Sequence, residues 1–250
     1  MHYRHLFGPV NSRRLGRSLG VDLVPPKTCN YDCVYCECGK TTHATRERQE
    51  FIPTEEVQSE LLHFLSSSPA LDFITFAGSG EPTLFRGIGR VIRFLKDQFP
   101  AYRIAVITNG SLLADPAVRS DLLAADVVLP TFSTTINETF QAMHRPMPGT
   151  DPVAIHTGLL RFRQVYQGEI WLEVFIIPGL NTTDRELAGL RDAIRVISPD
   201  RVQLNTLDRP GTEDWVRPAS PHELARIARA LGFPETDPIE STCYEDFGSR

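Results

Sequence analysis

No stretch of this chain is apolar for long enough to cross a bilayer. The longest strand-like apolar run, Ile170 to Ile177, carries Glu173 and falls far short of the about 20 residues a spanning helix needs. The opening stretch MHYRHLFGPV has no apolar signal segment, so a cytoplasmic location is expected. A basic excess is missing as well. There are 31 acidic residues against 26 Lys and Arg, a formal charge of −5. A protein that lives on phosphate-backbone contacts is usually strongly basic, so DNA is not expected as a partner and RNA is not an obligatory one. Cysteine is scarce: there are five, and four of them crowd between Cys29 and Cys38. That crowding does not read as a disulfide framework. It suits metal ligation in a reducing compartment. Internal repeats and low-complexity segments are absent too.

What is present is an alternation. Residues 1–18 read as irregular, with Arg13, Arg14 and Arg17 in one short loop that either contacts an anion or RNA or pairs with nearby carboxylates. Leu19–Val24 reads as a strand, stopped by Pro25-Pro26, with the cysteines just beyond. Residues 39–53 carry no apolar period and read as loop. Thr54 is placed as the cap of a helix whose face is Val57, Leu61, Leu62 and Leu65. Strands are then expected at Leu71–Ala77, Ile104–Thr108, Val127–Thr131, Ile170–Ile177 and Val202–Thr206. Helices lie between them, opened by Asp115-Pro116, Asn137, Asp151-Pro152, a Thr183-x-x-Glu186 box and a Ser220 to Glu223 box. Six short apolar strands alternating with at least six helices imply an α/β fold with parallel strands and both faces of the sheet covered. The main domain is expected over residues 1–232, with 233–250 as a C-terminal tail.

Active sites of parallel α/β sheets gather at the C-terminal ends of the strands. Here the first end carries Cys29, Cys33 and Cys36, spaced C-x3-C-x2-C. The second carries Gly78, Ser79, Gly80, Glu81 and Pro82, the third Asn109-Gly110, and the fourth Ser133-Thr134. Glycine-rich and Asn-Gly turns are ordinary strand terminators taken singly; the shared rim raises their weight. In Ile170–Ile177 the residues Ile170, Leu172, Val174 and Ile176 form one apolar face. Glu173 falls on the other, together with Gln203 and Asn205 of the last strand. A carboxylate there costs several kcal/mol unless it is bonded, so Glu173 is either paired with an arginine or binds a ligand. Three thiolates are one short of the usual four metal ligands. Cys38 or His43 could complete a zinc site, and Cys243 is remote in sequence. A [4Fe–4S] cluster with one iron left open to a small molecule fits the count best.

The C-x3-C-x-aromatic-C pattern, with Tyr35 as the aromatic, resembles the signature of the radical S-adenosylmethionine (SAM) superfamily. The Gly78–Glu81 stretch resembles that family's "GGE" turn. FGPVNSRRLGRSLGVDLVPPKTCNYDCVYC, AGSGEPTL, HRPMPG and RVQLNTLDRPGTEDWV resemble the subgroup related to tRNA wyosine synthases. The resemblance implies a partial (β/α)6 barrel with the cluster loop after strand 1. It implies that Cys29, Cys33 and Cys36 ligate a [4Fe–4S] cluster and that SAM binds the fourth iron. Tyr35 would contact the adenine, and the Gly78-Ser79-Gly80-Glu81 turn the methionine amino group. Asn109 stands on the same rim. Ser133, Glu173 and Asn205 would contact the carboxylate and ribose. Reductive cleavage of SAM to methionine and a 5′-deoxyadenosyl radical, followed by hydrogen abstraction from a substrate, is the implied chemistry. The electron comes from an external donor of flavodoxin or ferredoxin type, and the substrate candidate is tRNA. A glycyl-radical-type activating enzyme acting on a partner protein, and a non-catalytic zinc or iron–sulfur protein, are the alternatives. Related sequences often carry Ser-x-Asp-Ala where this chain has Phe132-Ser133-Thr134-Thr135. The catalytic residue acting on the substrate is not readable, and Cys38 has no assigned role.

Overall fold

The computed structural model describes residues 3–232. Its strands are β1 (Leu6–Ser12), β2 (Gly16–Val21), β3 (Thr28–Cys29), β4 (His43–Ala44), β5 (Phe73–Phe76), β6 (Arg103–Thr108), β7 (Val127–Pro130), β8 (Glu169–Phe175) and β9 (Arg201–Asn205). Its helices are α1 (Thr54–Leu65), α2 (Ile88–Gln98), α3 (Pro116–Leu122), α4 (Asn137–His144), α5 (Pro152–Val165), α6 (Asp184–Ile197) and α7 (Pro221–Leu231). The main sheet runs in the order β1-β2-β5-β6-β7-β8-β9. Strands β2 and β5 to β9 are its parallel set, and β1 lies antiparallel on the outer side of β2. This is the expected α/β architecture. The proposed tail, with Cys243, lies outside the described residues.

Strand periodicity explains how the sheet is covered. Ile170, Leu172, Val174 and Ile176 of the β8 region belong to the large core under the helices, with Val202 and Leu204 of β9. Helix α2 meets that core with Ile88, Val91, Ile92 and Leu95, all fully buried. Each such side chain contributes roughly 1.5–3 kcal/mol. The alternate residues point to the lumen. Phe73, Ala105, Val127, Leu129 and Trp171 form an apolar floor there, joined by Leu15 from the β1–β2 turn.

Four local expectations are corrected. Residues 1–18 are not irregular: β1 and β2 form a hairpin, with a register shift between Phe7 and Val10. That bulge breaks the alternation which marks a strand in sequence. Thr54 and Asn137 sit inside their helices, whose caps are Pro53 and Ile136. Thr54 spends its hydroxyl on Glu50, at 2.6 Å. The box at Thr183 is half made. The Thr183 hydroxyl accepts from the Glu186 amide, but the Glu186 carboxylate turns inward to Thr134 Oγ1, at 2.6 Å. The box at Ser220 is complete.

Candidate cluster and cofactor site

The cysteine loop is held by its own backbone pairing and by two neighbouring segments. Thr28 and Cys29 pair in parallel with His43 and Ala44. The end of α4 holds the loop from one side, where Val34 N–H donates to Met143 O at 2.9 Å and Asp32 N–H to His144 O at 3.0 Å. The β9–α7 connection holds it from the other. There Glu213 N–H donates to Val34 O at 3.0 Å and Thr212 Oγ1 to Cys36 O at 3.2 Å. Val34, Met143, Phe175, Ile177, Leu207 and Val216 form the small core beneath.

Cys29, Cys33 and Cys36 are free and half-buried; Cys38 is exposed. Burial pushes the Cys29 thiol up to about 12 and raises Cys33 further still. Cys36 is raised first by its bond with Cys38 and then by burial, while the same bond lowers Cys38. Cys29, Cys33 and Cys36 thus resist ionisation on their own, and positive metal centres would displace their protons. Cys29 Sγ receives the Tyr31 N–H at 3.4 Å and Asn109 Nδ2 at 3.8 Å. Cys33 Sγ lies 3.5 Å from His144 Nδ1. Among the described residues, no three His, Cys, Asp or Glu side chains converge on a single ion. An iron–sulfur cluster asks for something else: one thiolate per iron, with N–H groups aimed at the sulfurs. The donor set fits that group.

The Gly78–Glu81 turn packs directly against the loop. Glu81 N–H donates to Thr28 O at 3.0 Å, and a Cβ on Gly80 would sit 2.0 Å from that same oxygen. Only glycine allows this approach. Gly78 lies against the Asp22 carboxylate, which also accepts from Ser79 N–H at 3.0 Å and Ser79 Oγ at 2.8 Å. Glu81 is buried and accepts from Thr83 N–H and Oγ1, Thr108 Oγ1 and Asn109 N–H. Burial still raises its pKa. Its carboxylate is thus committed to tying together the ends of β5 and β6. The Asn109 side chain is held by Asn30 Oδ1 at 2.7 Å.

A cavity of about 610 Å³ opens beside the loop. Cys36, Tyr35, Glu173, Phe175 and Asn205 line one wall; Phe7, Val10 and Arg14 of the hairpin line the other. Tyr35 stacks on Phe175 with ring centres 3.8 Å apart, and its hydroxyl lies 3.1 Å from His144 Nδ1. Glu173 takes Arg14 Nη1 at 2.5 Å, Thr131 Oγ1 at 2.6 Å and Asn205 Nδ2 at 2.9 Å. Burial opposes its charge, but Arg14 and the two neutral donors outweigh burial and hold its pKa below the carboxylate range. Both readings of Glu173 meet here, since it is paired with an arginine and faces the cavity. Ser133 does not line the cavity wall; its hydroxyl accepts from Phe175 N–H at 2.9 Å. Arg13 reaches Asp208 at 3.2 Å, so two of the three hairpin arginines are spent on carboxylates.

Sequence reasoning passed over Asp22 and His144. Asp22 is an acid in the Leu19–Val24 run, the same signal that marked Glu173. His144 shares the buried face of α4 with Phe140 and Met143, an i, i+3, i+4 spacing visible in the sequence.

A family model described as the radical SAM superfamily matches residues 23–191. The chain belongs to the radical SAM superfamily. Its cofactors are a [4Fe–4S] cluster and SAM, as in other radical SAM enzymes. It is 33% identical over 224 residues to UPF0026 protein MJ1312 of Methanocaldococcus jannaschii, covering 88% of this chain and 69% of that protein. It is 38% identical over 226 residues to a Brachyspira hyodysenteriae protein named GTPase Obg, covering 90% of this chain. The chain spans only 33% of that relative's length. In fold, it resembles a radical SAM methyltransferase from Sphaerobacter thermophilus, with a TM-score of 0.62 at 16% identity over 88% of this chain and 64% of that one. No helix among the described residues is long and apolar enough to cross a membrane.

Proposed function

We propose that this radical SAM enzyme holds its cluster on Cys29, Cys33 and Cys36 and acts on a substrate that enters the cavity beside Tyr35. The observation that carries this reading is the gathering of three half-buried thiols on one loop whose Cys36 lines a cavity of about 610 Å³. The cofactor pair supplies one-electron reductive cleavage of SAM and a 5′-deoxyadenosyl radical that abstracts hydrogen. Tyr35 and Phe175 offer a stacked aromatic wall for the adenine. Glu81 has both oxygens occupied, so the Gly78–Glu81 turn meets the methionine amino group through its backbone. Glu173 and Asn205 present polar atoms to the ribose or carboxylate, and Ser133 supports them by fixing the Phe175 amide. The electron arrives from a separate flavodoxin- or ferredoxin-type donor.

For the substrate, tRNA modification of the wyosine type is the named candidate, on the motifs shared with that subgroup. The pairing of Arg13 and Arg14 with Asp208 and Glu173 weakens the hairpin loop as independent support for RNA binding. Anaerobic reconstitution followed by dithionite reduction should give 5′-deoxyadenosine and methionine. A colourless protein with stoichiometric zinc and no SAM cleavage would remove the enzyme reading. Mass spectrometry of tRNA nucleosides from strains with and without the gene tests the substrate; unchanged nucleosides sink the tRNA candidate.

A further inference from the structure

We infer that His144 donates a hydrogen bond from Nδ1 to the Cys33 sulfur and so sets the reduction potential of the cluster. The inference rests on the reading of Cys33 as a cluster ligand. His144 is the last residue of α4, and its ring is buried, packed between Tyr31, Tyr35 and Phe140 with ring centres 5.5, 5.6 and 5.0 Å away. Its carbonyl anchors the loop through Asp32 N–H, so ring and loop move as one unit. Nδ1 faces two atoms, Cys33 Sγ at 3.5 Å and Tyr35 Oη at 3.1 Å.

The chemistry of the sulfur decides which way this contact runs. A protonated thiol can donate to a bare Nδ1. An iron-bound thiolate has no proton to give, and a lone pair on Nδ1 would then face a lone pair on sulfur. The ring relieves this by carrying its hydrogen on Nδ1 and donating to the sulfur. The Tyr35 hydroxyl, 3.1 Å from the same nitrogen, is the ring's other polar neighbour. Hydrogen bonds to cluster sulfur draw charge off the Fe–S bond and favour the reduced state. Cys29 has its own donors in Tyr31 N–H and Asn109, so His144 brings to Cys33 what those two bring to Cys29.

The test uses the full chain, reconstituted anaerobically, with two variants: His144→Phe, which removes the donor, and His144→Asn, whose amide nitrogen takes the place of Nδ1. Iron and sulfide content is measured first, then the midpoint potential by EPR-monitored titration without substrate. Pulsed EPR on protein labelled with ¹⁵N-histidine follows. With iron content unchanged, His144→Phe should shift the midpoint to more negative potential and lose the histidine nitrogen coupling. His144→Asn should titrate like the wild type. A wild-type potential in His144→Phe, an equal shift in both variants, or no ¹⁵N-histidine coupling in the wild-type protein overturns the inference. The last measurement decides even if His144→Phe fails to hold a cluster. A wild-type chain that takes up no [4Fe–4S] cluster at all overturns the ligand reading, and the inference with it.

Discussion

The lumen has two ends built on opposite principles. At the floor, Phe73, Ala105, Val127, Leu129, Trp171 and Leu15 exclude water. The guanidinium groups of Arg103 and Arg201 cover the Phe73 and Trp171 rings at 4.7 and 4.3 Å from their centres. Two residues further along β7 and β8 the inward side chains become Thr131 and Glu173, and Asn205 of β9 and the cysteine loop complete the rim. The same alternation produces both ends, so strand geometry alone does not separate them. What separates them is whether the inward residues need partners. Floor residues need only volume. Rim residues need donors and acceptors, and the structure spends its glycines, its asparagines and a half-buried arginine on supplying them. The division of labour follows: the floor carries stability and the rim carries chemistry.

Substitutions at each end should keep these effects apart. Cys36→Ala has the largest expected effect: cluster absorbance and 5′-deoxyadenosine formation fall to background, while the melting temperature stays near that of metal-free wild type. Surviving SAM cleavage would mean that the ligand set is wrong. Trp171→Ala should show the reverse, losing about 3–5 kcal/mol in denaturant unfolding through cavity formation at the floor, with cluster content unchanged per folded molecule. A native-like stability would show that the floor is not a packed core.

Arg14→Ala tests the boundary between the two ends. It leaves Glu173 buried without its cation, for a loss of roughly 3 kcal/mol near neutral pH. In the wild type the Glu173 pKa is held down, so its contribution is present above the unfolded carboxylate range and is lost as pH falls through the lower folded value. Without Arg14, burial raises that pKa instead. Protonation then relieves the buried charge, and the stability gap to wild type should narrow as pH falls below about 5. A gap that does not change with pH would place the cost of the substitution in lost packing. Smallest of all, Ser220→Ala removes the α7 cap, for about 1 kcal/mol, and should leave both cluster and cavity untouched. A change in cluster content there would tie α7 to the rim.

Much of this was legible in the sequence. The period of two placed Glu173 and Asn205 on one face, and their hydrogen bond confirms the shared face. Asp115 and Ser220 cap the helices they were expected to cap. The hairpin was not legible, because its bulge and its turn of arginines hide the alternation. Nor was the destination of Arg14, a contact 159 residues away in sequence that no local pattern encodes. The roles of Asp22 and His144 depend on the loop packing against them, which spacing alone does not show.

That long separation has a consequence in time. Arg14 emerges from the ribosome 159 residues before Glu173. At 5–20 residues per second this is a wait of roughly 8–30 s. Throughout it, the Arg14 guanidinium is without the Glu173 carboxylate it pairs with in the finished fold. A guanidinium at that position is well solvated in water until β8 arrives. The charge that later sits half-buried beside the cavity thus waits in water while the strand opposite it is still being made.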